Sequence, residues 1–186
     1  MRNLIFGINL SIDGCCDHTK FNGDGDEMHE YFAHLMQNAD LLVYGRKTYE
    51  LMVPFWPDVA KNHSGETKAI NEFAQTFDAI NKVVFSKSLD RAEDKNTCIV
   101  RTDLKDEILK LKQEEGKNIL LGGVDLPSQV IAMGLVDEYH FVVHPVIAGA
   151  GTRLLEGINL QKALQLKLVG SKVLKSGCIA VHYVKR

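Results

Sequence analysis

Short, almost wholly apolar runs alternate with longer stretches of helical period along most of this chain, and few folds accept that rhythm. LLVY at 41–44, KVVFS at 82–86 and NILL at 118–121 show little of the in–out alternation of a half-exposed strand. Strands of that kind need cover on both faces, as in a parallel sheet sandwiched by helices. The intervening segments supply the cover. Met28, Tyr31, Phe32, Leu35 and Met36 fall at helical spacing over 26–38, and Ile70, Phe73, Ala74 and Phe77 do so over 65–77. The pattern predicts an α/β domain with a mostly parallel central sheet flanked by helices.

The remaining segments fit the same plan. Residues 3–12 read as a first strand and Arg46–Met52 as a short helix. Pro54 and Pro57 read as its end, in a loop that presents Trp56, the single tryptophan. A polar stretch at 87–96 leads to a strand at 97–100. Asp103 is placed to cap a helix that runs to Glu115 and stops at Gly116. Gly122-Gly123 opens a helix ending at Gly134, a strand follows at 139–144, and Gly149-Ala150-Gly151 is a turn. Only the tail changes character: apolar alternation over 164–174 and 178–184 around Ser176-Gly177 signals an antiparallel hairpin. No linker or repeat divides the 186 residues, so a single domain is expected over 1–186.

Several function classes fall away. A formal net charge of −2 gives no sign of the basic surface that nucleic-acid binding needs. No apolar run approaches the roughly 20 residues that cross a bilayer, and MRNLIFGINLSIDG is too interrupted by polar residues for a signal peptide. A cytoplasmic protein without membrane contact is expected. Cys15, Cys16, Cys98 and Cys178 lack metal-ligand spacing and read as reduced structural thiols, a redox role for the adjacent pair being the alternative. His140 and His144 would stand roughly 13 Å apart on a strand, too far to share an ion. His29 and His34 would point about 140° apart on a helix. No metal site is expected.

Three strand ends share a design that points to a ligand. LLVY runs into Gly45-Arg46-Lys47-Thr48, KVVF into Ser86-Lys87-Ser88, and NILL into Gly122-Gly123. Ligands of open α/β sheets collect beyond the carboxyl ends of the strands, where helix N-termini favour phosphate. Each end alone is weak evidence, since turns need glycine anyway. No G-x-G-x-x-G follows the first strand, so the dinucleotide fingerprint of the Rossmann fold is absent.

The ordered series Ser11-Ile12-Asp13-Gly14, Gly45-Arg46-Lys47-Thr48-Tyr49-Glu50, Pro54-Phe55-Trp56-Pro57, Val84-Phe85-Ser86-Lys87-Ser88-Leu89, Leu121-Gly122-Gly123 and Gly134-Leu135-Val136-Asp137-Glu138 covers nearly the whole chain. It resembles the dihydrofolate reductase-like family that includes the C-terminal reductase domain of the riboflavin-pathway deaminase-reductase. That resemblance implies hydride transfer from NADPH to a small heterocyclic substrate, with a pyrimidine reductase as the nearest label. It implies that Gly45, Arg46, Lys47 and Thr48 hold the pyrophosphate and adenosine side, and Ser86, Lys87 and Ser88 the 2′-phosphate and ribose. Leu121, Gly122, Gly123 and Val124 would cover the pyrophosphate from the other side. Asn9, Ser11 and Ile12 would lie along the nicotinamide. Phe55, Trp56 and Leu121 would flank the substrate. An acid on the first helix would anchor it, with Asp26, Glu27 and Glu30 as candidates, Glu27 slightly preferred, and His29 able to replace any of them. Leu121 stands where riboflavin-type enzymes carry glutamate, so little turnover of their phosphoribosyl-aminopyrimidine is expected. An NADPH-binding protein without turnover is the alternative. A homodimer is expected from family habit and the apolar hairpin.

Overall fold

The apolar runs LLVY, KVVF and NILL are strands covered by helices on both faces. The computed structural model describes residues 1–21 and 25–186. Its elements run β1 (Leu4–Ser11), α1 (Gly25–Gln37), β2 (Ala39–Gly45), α2 (Arg46–Met52), α3 (Phe55–Asn62), α4 (Lys68–Ala79) and β3 (Asn81–Phe85). There follow β4 (Thr97–Val100), α5 (Leu104–Gln113), β5 (Asn118–Leu121), α6 (Asp125–Ala132), β6 (Glu138–His144), β7 (Leu166–Val173) and β8 (Ile179–Lys185). The described strands form one eight-stranded sheet in the order β4-β3-β2-β5-β1-β6-β8-β7. The first six in that order are parallel, and β8 and β7 join antiparallel.

Strand parity divides the core. Leu4, Phe6, Leu41, Val43, Ile119 and Leu121 meet α5 and α6 on one face. Ile5, Leu42, Tyr44, Val84 and Leu120 meet the layer of α1 to α4 on the other. Asp103 caps α5 as its sequence suggests, accepting from the Lys105 and Asp106 N–H groups at 2.9 and 3.1 Å. The hairpin turns at Gly177, whose φ of 85° is open to glycine at little cost. No helix among the described residues is long and apolar enough to cross a membrane.

One expectation is corrected. The segment after Pro54 is a helix, α3, rather than a loop. Pro54 is its N-cap and Pro57 its third residue, positions whose N–H would have no intrahelical partner in any case. Prolines read as breakers therefore begin a helix, which ends at His63 in the left-handed conformation.

Candidate functional site

Because β3, β2 and β5 are consecutive parallel strands, their carboxyl ends open on one rim. Gly45-Arg46-Lys47-Thr48, Ser86-Lys87-Ser88 and Gly122-Gly123-Val124 are thereby brought side by side. Two glycines are required by close approach. A Cβ on Gly122 would lie 2.4 Å from Tyr44 Cε1, and one on Gly123 would lie 2.3 Å from Thr48 Oγ1, at a φ of 95°. The β5–α6 turn thus presses directly on β2 and α2. Neither the α2 cap, Gly45, nor the α6 cap, Val124, makes a side-chain cap bond. The first-turn N–H groups of both helices are suited to an anion.

The charges at this rim are lightly committed. Arg46 Nη1 donates to both carboxylate oxygens of Glu50, at 3.0 and 2.8 Å, and Lys47 Nζ to Asp125 Oδ2 at 2.9 Å. Exposed pairs of this kind contribute about 0–1 kcal/mol, so a phosphate can take over either cation. Ser86 is buried, and its Oγ accepts from the Ser88 and Leu89 N–H groups at 3.2 and 2.9 Å. It shapes the turn, while Lys87 and Ser88 stand exposed. The residues present fit a dinucleotide with several phosphates.

β1 and β6 complete the rim. Ser11 is fully buried; its Oγ donates to Asp13 Oδ1 at 2.6 Å and accepts from the Cys15 N–H at 2.9 Å. Asp13 also accepts from the Ala148 and Gly149 N–H groups, each at 2.9 Å, and faces Arg153 at 3.3 Å. The Ser11 hydroxyl, followed by these backbone donors, holds the Asp13 carboxyl well below its ordinary value. Residues 12–16 are so tied to segment 146–153, with the Ile12 side chain left exposed beside them. Asn9 Oδ1 lies 3.4 Å from His144 Nε2. The buried His144 ring stacks on Phe21 at 4.4 Å, with Nδ1 3.5 Å from Cys178 Sγ.

α1 runs against the strands, so its first turn reaches the same rim. There Asp26 and Glu30 are exposed. Glu27 accepts from the Lys175 N–H at 2.5 Å and pairs with Lys172 at 3.3 Å. Those contacts, the Lys175 bond foremost, hold it below the usual carboxylate range. Glu27 is an ionised brace between α1 and the hairpin turn. Trp56 is half-buried against Phe73 at 4.5 Å and His29 at 5.9 Å, while Phe55 is exposed. Leu121 is fully buried in the core with Phe6, Val43 and Leu126, so only its backbone can reach a ligand. The four cysteines are free thiols.

Sequence reasoning gave no role to Asp13 and weighed His144 only as a metal ligand. Asp13 lay inside a quoted motif, which was the available signal. Nothing in local spacing joins His144 to Asn9. A cavity of about 410 Å³, lined by Val124, Asp125, Ser128, Thr152 and Arg153, opens beside the glycine pair. A larger hollow of about 500 Å³ lies at the opposite rim between α1 and α4, near Met36, Gln75 and Ile80. The smaller one is lined by Arg153 and by the carboxylates Asp125 and Glu156, and it is its place beside the glycine turns that favours it.

Comparison with known proteins gives the chain a family and its fold likenesses. The family model described as RibD C-terminal domain matches residues 2–180. The uncharacterized protein YyaP of Bacillus subtilis (strain 168) is 29% identical over 187 residues, covering 98% of this chain and 94% of that one. Among solved structures, a riboflavin biosynthesis protein from Shewanella sp. PV-4 superposes with a TM-score of 0.74 at 20% identity, covering 100% of this chain and 99% of its own. RibD of Acinetobacter baumannii gives 0.70 at 15% identity, covering 100% of this chain and 58% of its own. Both structural likenesses are likenesses of fold.

Proposed function

The chain belongs to the RibD C-terminal domain family, and from that premise we propose that it is an NADPH-dependent reductase of a small heterocyclic substrate. The observation that carries this reading is the adjacency on one rim of three strand ends, two bearing glycine and two bearing cations. Gly45–Thr48 and Gly122–Val124 would clasp the pyrophosphate from two sides. Lys87 and Ser88, on the turn shaped by Ser86, would receive the 2′-phosphate, which asks for charge-assisted donors. Asn9 and Ile12 would lie along the nicotinamide, with Ser11 and Asp13 holding the connection in place. The bound cofactor supplies the hydride, and the protein supplies orientation and exclusion of water.

The proton is assigned less directly. Glu27 is engaged by the Lys175 N–H and by Lys172, which leaves Asp26, Glu30 and His29 as the less committed candidates on α1. This engagement of Glu27 also favours a second reading, an NADPH-binding protein without turnover. Fluorescence titration with NADPH and NADH, followed by NADPH oxidation with pyrimidine and pteridine substrates, separates the two. The reductase reading expects preferential NADPH binding and oxidation with at least one heterocycle. Binding with no oxidation across the panel would favour the second reading, and no binding would end both.

A second copy of the chain is the proposed occupant of the outer edge of β7, where Leu168, Val169 and Val173 are exposed. An unpaired apolar edge strand is a template for another strand. Light scattering should show a particle of twice 20.8 kDa; a particle of single-chain mass at all concentrations would remove the dimer.

A further inference from the structure

The sheet face under α1 carries another group of reactive side chains, at the end of β6 remote from His144. Antiparallel register sets His140 of β6 opposite His182 of β8. Glu138, two residues before His140, points to the same face. Ligand atoms of Glu138, His140 and His182 all lie within 4.8 Å of one another. We propose that these three side chains form a binding site for a divalent transition ion of the Zn²⁺ type, separate from the nucleotide rim.

The donor set argues for that class of ion. Two imidazoles and one carboxylate suit Zn²⁺, Co²⁺ or Ni²⁺ better than Mg²⁺ or Ca²⁺, which prefer oxygen alone. Tetrahedral bonds of about 2.0–2.2 Å place ligand atoms roughly 3.3–3.5 Å apart. The Glu138 Oε2 atom is 2.9 Å from His182 Nε2 and 3.9 Å from His140 Nε2, separations that bracket this value. The two rings stack with centroids 4.1 Å apart and planes 16° from parallel. Ligation therefore needs one ring to fan out of the stack. His182 is free to do so, since its side chain is 26% exposed against 8% for His140.

Contacts from other elements support the same assignment. Tyr31 Oη, on α1, lies 2.6 Å from His140 Nδ1, the nitrogen turned away from the cluster. Asn3 Nδ2 donates to Glu138 Oε1 at 2.8 Å, leaving Oε2 to the histidines. Metal-binding imidazoles and carboxylates characteristically have their spare atom held in this way, which fixes ring orientation and raises ligand basicity. Partial exposure of Glu138 and His182 leaves a fourth position open to water. An ion there would join β6 to β8 and fasten the C-terminal hairpin to the parallel part of the sheet.

The test uses the chelator-stripped full chain and no nucleotide, so its result is independent of the reductase reading. Calorimetric titration with Zn²⁺ should show one equivalent bound per chain. Co²⁺ should give the intense visible absorption of a tetrahedral site, and the melting temperature should rise on Zn²⁺ addition. His182→Ala and Glu138→Gln should each lose the equivalent while retaining the circular dichroism of the parent. Tyr31→Phe should keep the stoichiometry and weaken binding about 10- to 100-fold. His34→Ala and His63→Ala, at exposed positions, should change nothing. The proposal is overturned if the parent shows no one-equivalent transition at micromolar Zn²⁺. It is equally overturned if the equivalent persists in both His182→Ala and Glu138→Gln.

Discussion

At the amino-terminal rim of the sheet, Arg2 pairs with Asp40 and donates Nε to the Lys117 carbonyl at 2.6 Å. Lys112 reaches Asp137 at 2.5 Å and the Leu135 carbonyl at 2.9 Å. Lys82, with no exposed side-chain surface, meets Asp94 at 3.2 Å and the Ile80 carbonyl at 3.0 Å. At the carboxyl rim, Arg46, Lys47 and Lys87 are exposed and two of them make only surface pairs. A buried charge whose bonds are all internal is committed to the fold. An exposed one beside a tight glycine turn can exchange its partner for a ligand. On the proposed function, the same sheet separates stability and binding between its two ends.

The largest expected effect breaks the first rim. Lys82→Met keeps most of the hydrocarbon stem but leaves the Asp94 carboxylate without its ammonium. Removing one member of a buried pair costs about 3–5 kcal/mol. Urea melts should show that loss, while NADPH affinity in the folded protein stays unchanged. A loss below about 1 kcal/mol would mean that this pair behaves like a surface one.

Arg46→Ala should do the reverse. NADPH binding should weaken by about 1.5–3 kcal/mol, the range for hydrogen bonds to charged groups. Stability should move by no more than about 0.5 kcal/mol, as for most surface changes. Unchanged NADPH affinity would detach Arg46 from the phosphate.

Gly123→Ala sharpens the comparison, because it perturbs backbone rather than charge. The left-handed conformation costs an L-residue roughly 1–2 kcal/mol, and the new Cβ would displace Thr48. Stability and NADPH affinity should fall together. Loss of only one of them would show that the turn is not shared between fold and ligand.

Asp13 is the exception at the carboxyl rim, a charge committed to structure. Its folded-state value is depressed, so its stabilisation is complete above the unfolded value of about 3.9 and is lost as pH falls through the lower folded one. Asp13→Asn should be less stable than the parent at neutral pH. Denaturation across an acid series should show the gap closing below about pH 4. A gap constant with pH would place the role of Asp13 in its shape alone.

The same division explains what could be read from sequence. Continuous apolar runs announced the parallel strands, and Ser176-Gly177 the hairpin, because burial on two faces and a tight turn leave direct marks on composition. That three strand ends share one rim was legible for a similar reason: short apolar runs stop there at Gly45-Arg46-Lys47, at Ser86-Lys87-Ser88 and at Gly122-Gly123. The helix after Pro54 was hidden because a first-turn proline and a terminating proline look alike locally. Leu121 was misplaced as a substrate contact because a strand buried on both faces gives no parity signal. Its burial beside Phe6 also means that Leu121→Glu would put a carboxylate in the core, so it cannot report on substrate choice. The partners of Glu27, His144 and His140 lie 34 to 148 positions away or on another element, and only strand register and the packing of α1 on the sheet join them.

The central claim is that the carboxyl rim binds a 2′-phosphorylated nicotinamide dinucleotide. The most direct measurement is a paired fluorescence titration of the unmutated chain with NADPH and NADH at one ionic strength. NADPH should bind more tightly, and Lys87→Ala should narrow the difference chiefly by weakening NADPH. Equal affinity for the two nucleotides, or a preference for NADPH that survives Lys87→Ala and Arg46→Ala unaltered, would contradict it.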